Sequence, residues 1–252
     1  MSTHIKVSQN GAVQTVRLNR PDKKNALTGE MYRTLAEALK AAGEDNAVAV
    51  TVIAGQPGVF CAGNDVADFL AASHGGGVLH GLAFLQALAE HEKPLIAAVD
   101  GPAIGIGTTL MLHCDLVFAS PNALFQTPFV SLGIVPEAAS SLLAPRLMGH
   151  ARAFELLVMG EAFTAERAKE AGFVNHIVSP EEVESAAFAA AKKLAQKPRE
   201  AMLISRRLLK GDPALVKQRM QEEGALFLER IKSDEARAAF EAFLQRASAG
   251  GA

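Results

Sequence analysis

The 252-residue sequence predicts an α/β core followed by a helical C-terminal region, and three observations carry that prediction. A-V-A-V-T-V-I-A (47 to 54), P-L-I-A-A-V-D (94 to 100) and D-L-V-F-A (115 to 119) are short, nearly continuous apolar runs, the pattern of strands buried on both faces. The first two lead into glycine-bearing loops, G-Q-P-G-V-F-C-A-G-N-D (55 to 65) and G-P-A-I-G-I-G (101 to 107), and then into helical sequence. Strand, loop and helix in that order imply parallel strands joined by helical crossovers. From about residue 140 the pattern is nearly all helix, apart from a short strand in F-V-N-H-I-V (173 to 178).

The chain opens as a hairpin. I-K-V-S (5 to 8) and V-Q-T-V-R-L (13 to 18) alternate around Asn10-Gly11, a strong turn signal. A loop, R-P-D-K-K-N-A-L-T-G-E, ends at Thr28 as N-cap of a helix with Met31, Leu35, Ala38 and Leu39 on its apolar face. Helix follows the loop at 55 to 65, to about residue 92. The segment from Pro213 to Arg246 reads as one or two amphipathic helices marked by Val216, Met220, Phe227, Ile231, Phe240 and Phe243.

Composition narrows the function classes. With 49% hydrophobic residues the chain can bury a large core, and a formal charge of −2 offers no electrostatic grip on nucleic acid or an anionic membrane. No apolar run is long enough to span a bilayer. The start, M-S-T-H-I-K-V-S, has no signal-peptide layout and the end, S-A-G-G-A, is no peroxisomal tripeptide, so a cytoplasmic location is expected. Two cysteines, Cys61 and Cys114, without a C-x-x-C, argue against disulfides or a zinc ribbon.

Several motifs fail on inspection. G-I-G-T-T-L (105 to 110) has Leu110 where a dinucleotide fingerprint needs its third glycine. S-H-G-G-G (73 to 77) resembles a lipase oxyanion loop, but no G-x-S-x-G nucleophile elbow exists. His74, His80, His91 and the H-C-D triplet (113 to 115) lack a recognised metal spacing and read as surface or satisfied groups, with no metal expected. Cys61, without an obvious basic neighbour, reads as packing.

Three pieces remain: C-A-G-N-D-V (61 to 66), G-P-A-I-G-I-G (101 to 107) and Pro136-Glu137. The two loops either make tight turns only or present backbone N–H groups that converge on an oxyanion. Glu137 stands among Ile134, Val135, Ala138, Ala139, Leu142 and Leu143. Pro at the first helical position with an acid beside it is an ordinary helix start, favoured by about 0.3–1 kcal/mol. A buried carboxylate also suits a general base, because burial raises its pKa toward neutrality.

L-N-R-P-D-K-K-N-A-L (18 to 27), F-C-A-G-N-D (60 to 65), P-L-I-A-A-V-D-G-P-A-I-G (94 to 105), C-D-L-V-F-A-S (114 to 120), F-Q-T-P-F-V-S-L-G (125 to 133) and G-E-A-F-T-A-E-R-A-K-E-A-G-F-V-N (160 to 175) resemble the crotonase (enoyl-CoA hydratase/isomerase) superfamily, collinearly from about residue 5 to 246. The resemblance implies a crotonase-like ββα spiral core over residues 1–195 that binds acyl-CoA, and a helical C-terminal trimerisation region over 196–252. It implies a homotrimer or dimer of trimers and an acyl-CoA thioester substrate that carries coenzyme A, with no permanently bound cofactor. The family's oxyanion donors map onto the N–H groups of Asn64 and Ile106. Its CoA-cradling segments map onto Lys24, Ala26 and Leu27 and onto Ala62, Gly63, Asn64, Asp65 and Val66. An acyl chain is expected to pass residues such as Phe69, Leu70, Leu79, Leu82 and Phe129.

Hydratases of the family carry two glutamates where this chain has Thr109 and Phe129, so efficient hydration is not expected. Glu137 occupies the Pro-Glu position of the peroxisomal-type Δ3,Δ2-enoyl-CoA isomerases that the branch with S-G-N-D and P-E-G/A-x-S-S resembles. The expected function is thus isomerisation of a 3-enoyl-CoA of fatty acid β-oxidation by one glutamate. The alternatives are weak hydration, thioester hydrolysis or decarboxylation using Asp65, Thr109, Thr127 or Ser140, and a non-catalytic CoA-binding homologue. Asp65 and Thr109 also have ordinary structural readings, a loop hydrogen bond and a helix cap.

Overall fold

The computed structural model describes residues 2–73 and 81–249. Most of S-H-G-G-G, with His74, His80 and Leu79, lies outside the described residues, as does the side chain of Phe69.

The hairpin forms as its turn signal requires: β1 (Ile5–Asn10) pairs antiparallel with β2 (Val13–Leu18). Thr28 accepts from Met31 N–H and caps α1 (Gly29–Glu44). At the other end of α1, buried Lys93 donates from Nζ to the carbonyls of Ala42 and Asp45 and so bonds the end of that helix. β3 (Val50–Ala54), β4 (Leu95–Val99) and β6 (Leu116–Ala119) add in parallel, and β9 (His176–Ile177) closes the edge, so the main sheet runs β1-β2-β3-β4-β6-β9. A second sheet, β5-β7-β8, is built from Pro102–Ile104, Leu124–Gln126 and Phe163–Thr164.

The continuous apolar runs are explained by the two faces of the main sheet. Side chains alternate along a strand. Ile53, Leu95, Ala97 and Val99 therefore face one core shared with α1 and α3 (Gly81–Glu90). Val50, Val52, Ala54, Ile96 and Ala98 face the other, where Val183, Ala187 and Ala191 of α7 (Val183–Ala195) cover them. The 47 to 54 run is shorter as a strand than its composition suggests, because Val48 N–H closes a turn onto Asp45.

The helical stretch to about residue 92 contains two helices, α2 (Val66–Ser73) and α3. After β5 come a one-turn α4 (Ile106–Thr109) and α5 (Ser140–Phe154), then a short α6 (Ala165–Glu170). Beyond α7 the chain forms α8 (Arg199–Lys210), α9 (Pro213–Arg230) and α10 (Asp234–Ala249). Asp115 of the H-C-D triplet accepts from Arg206 Nε at 2.8 Å, and Lys210 Nζ donates to the His113 carbonyl at 2.7 Å. The triplet anchors α8 to the core. Among the described residues no group of three His, Cys, Asp or Glu could hold a metal, and no helix is long and apolar enough to cross a membrane.

Gly101 makes the turn that sends the chain from β4 to β5. Its φ is +83°, and a Cβ there would sit 2.2 Å from the Gly58 carbonyl oxygen. Asp100 holds the same junction, accepting from Gly58 N–H and from Ser120 Oγ, both at 2.6 Å. Gly101→Ala is therefore expected to destabilise the protein by more than about 2 kcal/mol in urea unfolding. An unchanged midpoint would show that the junction is not tight.

Candidate active site

The loop of residues 20–27 and the loop of residues 60–66 are laced together. Leu27 N–H donates to Gly63 O, Asp65 N–H to Leu27 O and Ala62 N–H to Lys24 O, all within 2.8–3.0 Å. Lys24 and Asn25 both take left-handed backbone, and Asn25 is among the residue types that tolerate it. Buried Asn25 accepts from Arg20 N–H and donates to the Phe60 carbonyl. Arg20 donates from one guanidinium nitrogen to Ala26 O at 3.0 Å and to Asp65 Oδ2 at 2.9 Å. Asp65 thus has the structural role its loop position suggests.

The two glycine loops meet back to back. A Cβ on Gly63 would lie 3.0 Å from Ile104 O, and one on Gly105 would lie 3.9 Å from the Gly63 Cα. Among the described residues, the N–H groups of Asn64 and Ile106 donate to no protein acceptor. Asn64 lines a cavity of about 390 Å³. Ile106 does not; its buried side chain borders a small adjoining void with Leu27 and Cys61.

Glu137, Asn64, Asp65 and Leu27 all line the large cavity, and Tyr32 of α1 joins them. Leu82 and Leu85 of α3 and Met220, Phe227 and Leu228 of α9 make it apolar. Of the residues expected along an acyl chain, Leu82 is on the wall, whereas Phe129 is buried in the core behind it and Leu70 packs partly buried against that core. Lys24 is exposed and does not line the cavity, and Ala26, Ala62, Gly63 and Val66 shape the loops without lining it.

Glu137 is not at a helix start. α5 begins at Ser140, and Ala138 and Ala139 before it have φ of 62° and 55°. Pro136 is therefore not the first helical residue, and the ordinary helix-start reading fails. Two successive left-handed alanines cost about 1 kcal/mol or more each. Such a turn persists only because its surroundings hold it. Its carboxylate emerges beside Thr109, whose hydroxyl donates to Glu137 Oε1 at 2.6 Å. Thr109 is fully buried and caps no helix, which corrects the cap reading. Oε2 has no protein partner among the described residues.

The surroundings set the charge. Glu137 is only partly accessible, its open side being the cavity, and burial raises its pKa to about 7. The Thr109 hydrogen bond opposes that rise, and the Glu223 carboxylate adds to it. Tyr32 donates to Asn64 Oδ1 at 2.5 Å, and burial first, then the Glu137 charge, hold its phenol well above the ordinary range. Cys61 is buried, its thiol pushed up to about 12, so it is packing and not a nucleophile. His113 is buried and kept neutral near physiological pH, its pKa lowered to about 4, with its ring on Ala138 O at 2.8 Å. Thr127 is spent on the Leu156 carbonyl, and the buried Ser140 hydroxyl does not line the cavity.

Tyr32, Arg20 and Glu223 were not singled out by the sequence reading. A signal existed for each. Tyr32 is the lone tyrosine and follows Met31 on the apolar face of α1, and Arg20 lies inside the L-N-R-P-D motif. Glu223 falls between Met220 and Phe227 on the apolar stripe of α9.

Comparison with known proteins gives a family match to "Enoyl-CoA hydratase/isomerase" over residues 8–249. The chain is 38% identical to rat enoyl-CoA delta isomerase 2 over 83% of its own length, but spans 55% of that relative. It is 33% identical to mouse peroxisomal enoyl-CoA delta isomerase 3, covering 97% of this chain and 79% of the other. A 4-chlorobenzoyl coenzyme A dehalogenase-1 from an Arthrobacter species is 34% identical over 90% of this chain and 80% of its own. Among solved structures, Pseudomonas aeruginosa OdaA superposes with a TM-score of 0.91 at 44% identity, covering 96% of this chain and 99% of that one.

The titration of Glu137 has a consequence for stability. Its folded pKa, about 7, lies above the ordinary 4.5, so the native state holds the proton more tightly. Its contribution is present below pH 4.5 and is lost as pH rises through 7. Glu137→Gln, which stays neutral, is expected to be about 1–3 kcal/mol more stable than the parent in urea at pH 8, and nearly equal to it at pH 4. Equal stability at both values would mean that the carboxylate is not desolvated.

Proposed function

The chain belongs to the enoyl-CoA hydratase/isomerase family, and we propose that it is an acyl-CoA isomerase that moves a 3-enoyl double bond to the 2-position with Glu137 as its single base. The observation that carries this reading is a carboxylate with a pKa near 7 at the wall of an apolar cavity, one oxygen held by Thr109 and the other free.

The chemistry needs one base and one oxyanion site. The C2 protons of a 3-enoyl thioester are acidified by both the carbonyl and the alkene. Glu137 Oε2 takes one of them, and the electron pair moves into a dienolate. The N–H groups of Asn64 and Ile106, without protein partners and carried on loops in contact, would hold the thioester oxygen. The carboxyl then returns its proton at C4, leaving the conjugated 2-enoyl thioester. A pKa near neutrality suits both halves of this shuttle. The laced loops of residues 20–27 and 60–66 would hold the coenzyme A portion, with Lys24 exposed to solvent on the first of them.

Hydration is disfavoured by the partners already made. The Thr109 hydroxyl is committed to Glu137, and Phe129 lies in the core. Of the other carboxylates at the cavity, Asp65 is ion-paired with Arg20, and Asp68 is exposed on the first turn of α2.

Purified protein with trans-3-hexenoyl-CoA is expected to form the conjugated 2-enoyl thioester, followed in the ultraviolet, without hydrating 2-enoyl-CoA. Glu137→Gln should lower kcat by on the order of 10³-fold or more while still binding the thioester. Near-parental turnover in that variant would rule out the single-base mechanism. Thr109→Val removes a hydrogen bond that favours the charged carboxylate, so the acid limb of the kcat/KM profile should move to higher pH. An unmoved limb would deny Thr109 its role.

A further inference from the structure

The turn that carries Glu137 is held by groups from outside it. His113 binds the Ala138 carbonyl from the turn after α4. α5 has no side-chain cap of its own at Ala139, and its first N–H groups would be orphaned. A carboxylate from α9, more than eighty residues away in sequence, replaces that cap. Glu223 Oε2 accepts from Ala139 N–H at 2.6 Å and Oε1 from Ser141 N–H at 2.9 Å.

Glu223 is 6% exposed and lies on the buried stripe of its helix. It is absent from the cavity wall, while its neighbours Met220, Gln221 and Gly224 are on it. With both oxygens occupied by backbone donors, it is not a second acid for the substrate. Burying a carboxylate is costly unless it is fully bonded. These bonds offset that cost and hold a turn with two left-handed alanines.

We propose that Glu223 is a positioning residue, which from α9 clamps the turn after Glu137 and so aims the base into the cavity. The proposal rests on the reading of Glu137 as that base. The groups facing Glu137 are Tyr32 from α1, Cys61 from the loop after β3, Thr109 from α4 and Glu223 from α9. Tyr32 and Cys61 are neutral near pH 7, and Glu223 is the neighbour whose negative charge raises the pKa of Glu137. Burial raises the pKa of Glu223 itself, opposed by its bonds to Ser141 and to Ala139 of the turn and by Arg219 one turn earlier on α9. Loss of its charge should therefore ease the ionisation of Glu137.

Glu223→Gln keeps the shape, removes the charge and leaves one acceptor for two donors. In the isomerase assay its kcat should fall by on the order of tenfold with KM little changed, and the acid limb of kcat/KM should move to lower pH. Glu223→Asp keeps the charge but is one methylene too short to reach both N–H groups. Its kcat should fall while the limb stays in place. Folded Glu223→Gln with parental kcat and pH profile would overturn the proposal. Should that variant not accumulate in folded form, parental kcat in Glu223→Asp would overturn it instead. A titration free of substrate separates this idea from the one beneath it. Carbon-13 NMR of labelled glutamate carboxyls, with Glu137 assigned by its Gln variant, should show Glu137 titrating lower in Glu223→Gln than in the parent. A parent protein without isomerase activity but with that shift would sink the isomerase reading and keep the coupling; an unshifted titration would sink the coupling whatever the activity.

Discussion

A carboxylate partly withdrawn from water at the wall of an apolar cavity is the constraint on which the rest of this structure depends. Exposed, Glu137 would titrate as an ordinary acid and be ionised throughout the neutral range. Fully enclosed without partners, it would stay protonated. The protein holds it between these limits with a cavity on one side, a Thr109 hydroxyl on one oxygen and a second carboxylate behind the turn. Thr109 comes from α4 and Glu223 from α9, which also walls the cavity, so the titration of Glu137 depends on how α4, α5 and α9 pack together.

The main sheet supplies the rigidity that such a balance needs. Its central strands are buried on both faces, and its loops are locked to one another by backbone hydrogen bonds more than by side chains. Gly63 and Gly105 let the two loop backbones touch, which places two partnerless N–H groups on adjacent segments. Rigid elements keep catalytic groups in register more reliably than free loops do. α9 completes the arrangement, because it forms one wall of the cavity and also bonds to the start of α5.

The helical C-terminal region therefore contributes to the site within a single chain. α8 is docked by Arg206 and Lys210 onto Asp115 and the His113 carbonyl, which gives two residues of the H-C-D triplet a structural role. Leu208 and Leu209 on the same helix are 77% and 89% exposed, an apolar pair that the single chain leaves uncovered.

What the sequence determined by itself was whatever depends on neighbours along the chain. The Asn10-Gly11 hairpin, the Thr28 cap, the doubly buried strands and the acid placed among aliphatic residues are all local patterns, and all were legible. Tertiary structure alone decided the rest. The helix start expected at Pro136 gave way to a left-handed turn, because Glu223 caps the helix three residues later from a position 84 residues removed. Thr109, which looks like a helix cap, is turned to Glu137, 28 residues away. Phe129, expected along the acyl path, packs in the core, and the Ile106 side chain borders a smaller void, since a strand-end loop's direction is set by what it packs on. Hydrogen bonds and desolvation act through distances in space. A pattern along one strand or helix cannot report which distant group will stand beside a carboxylate.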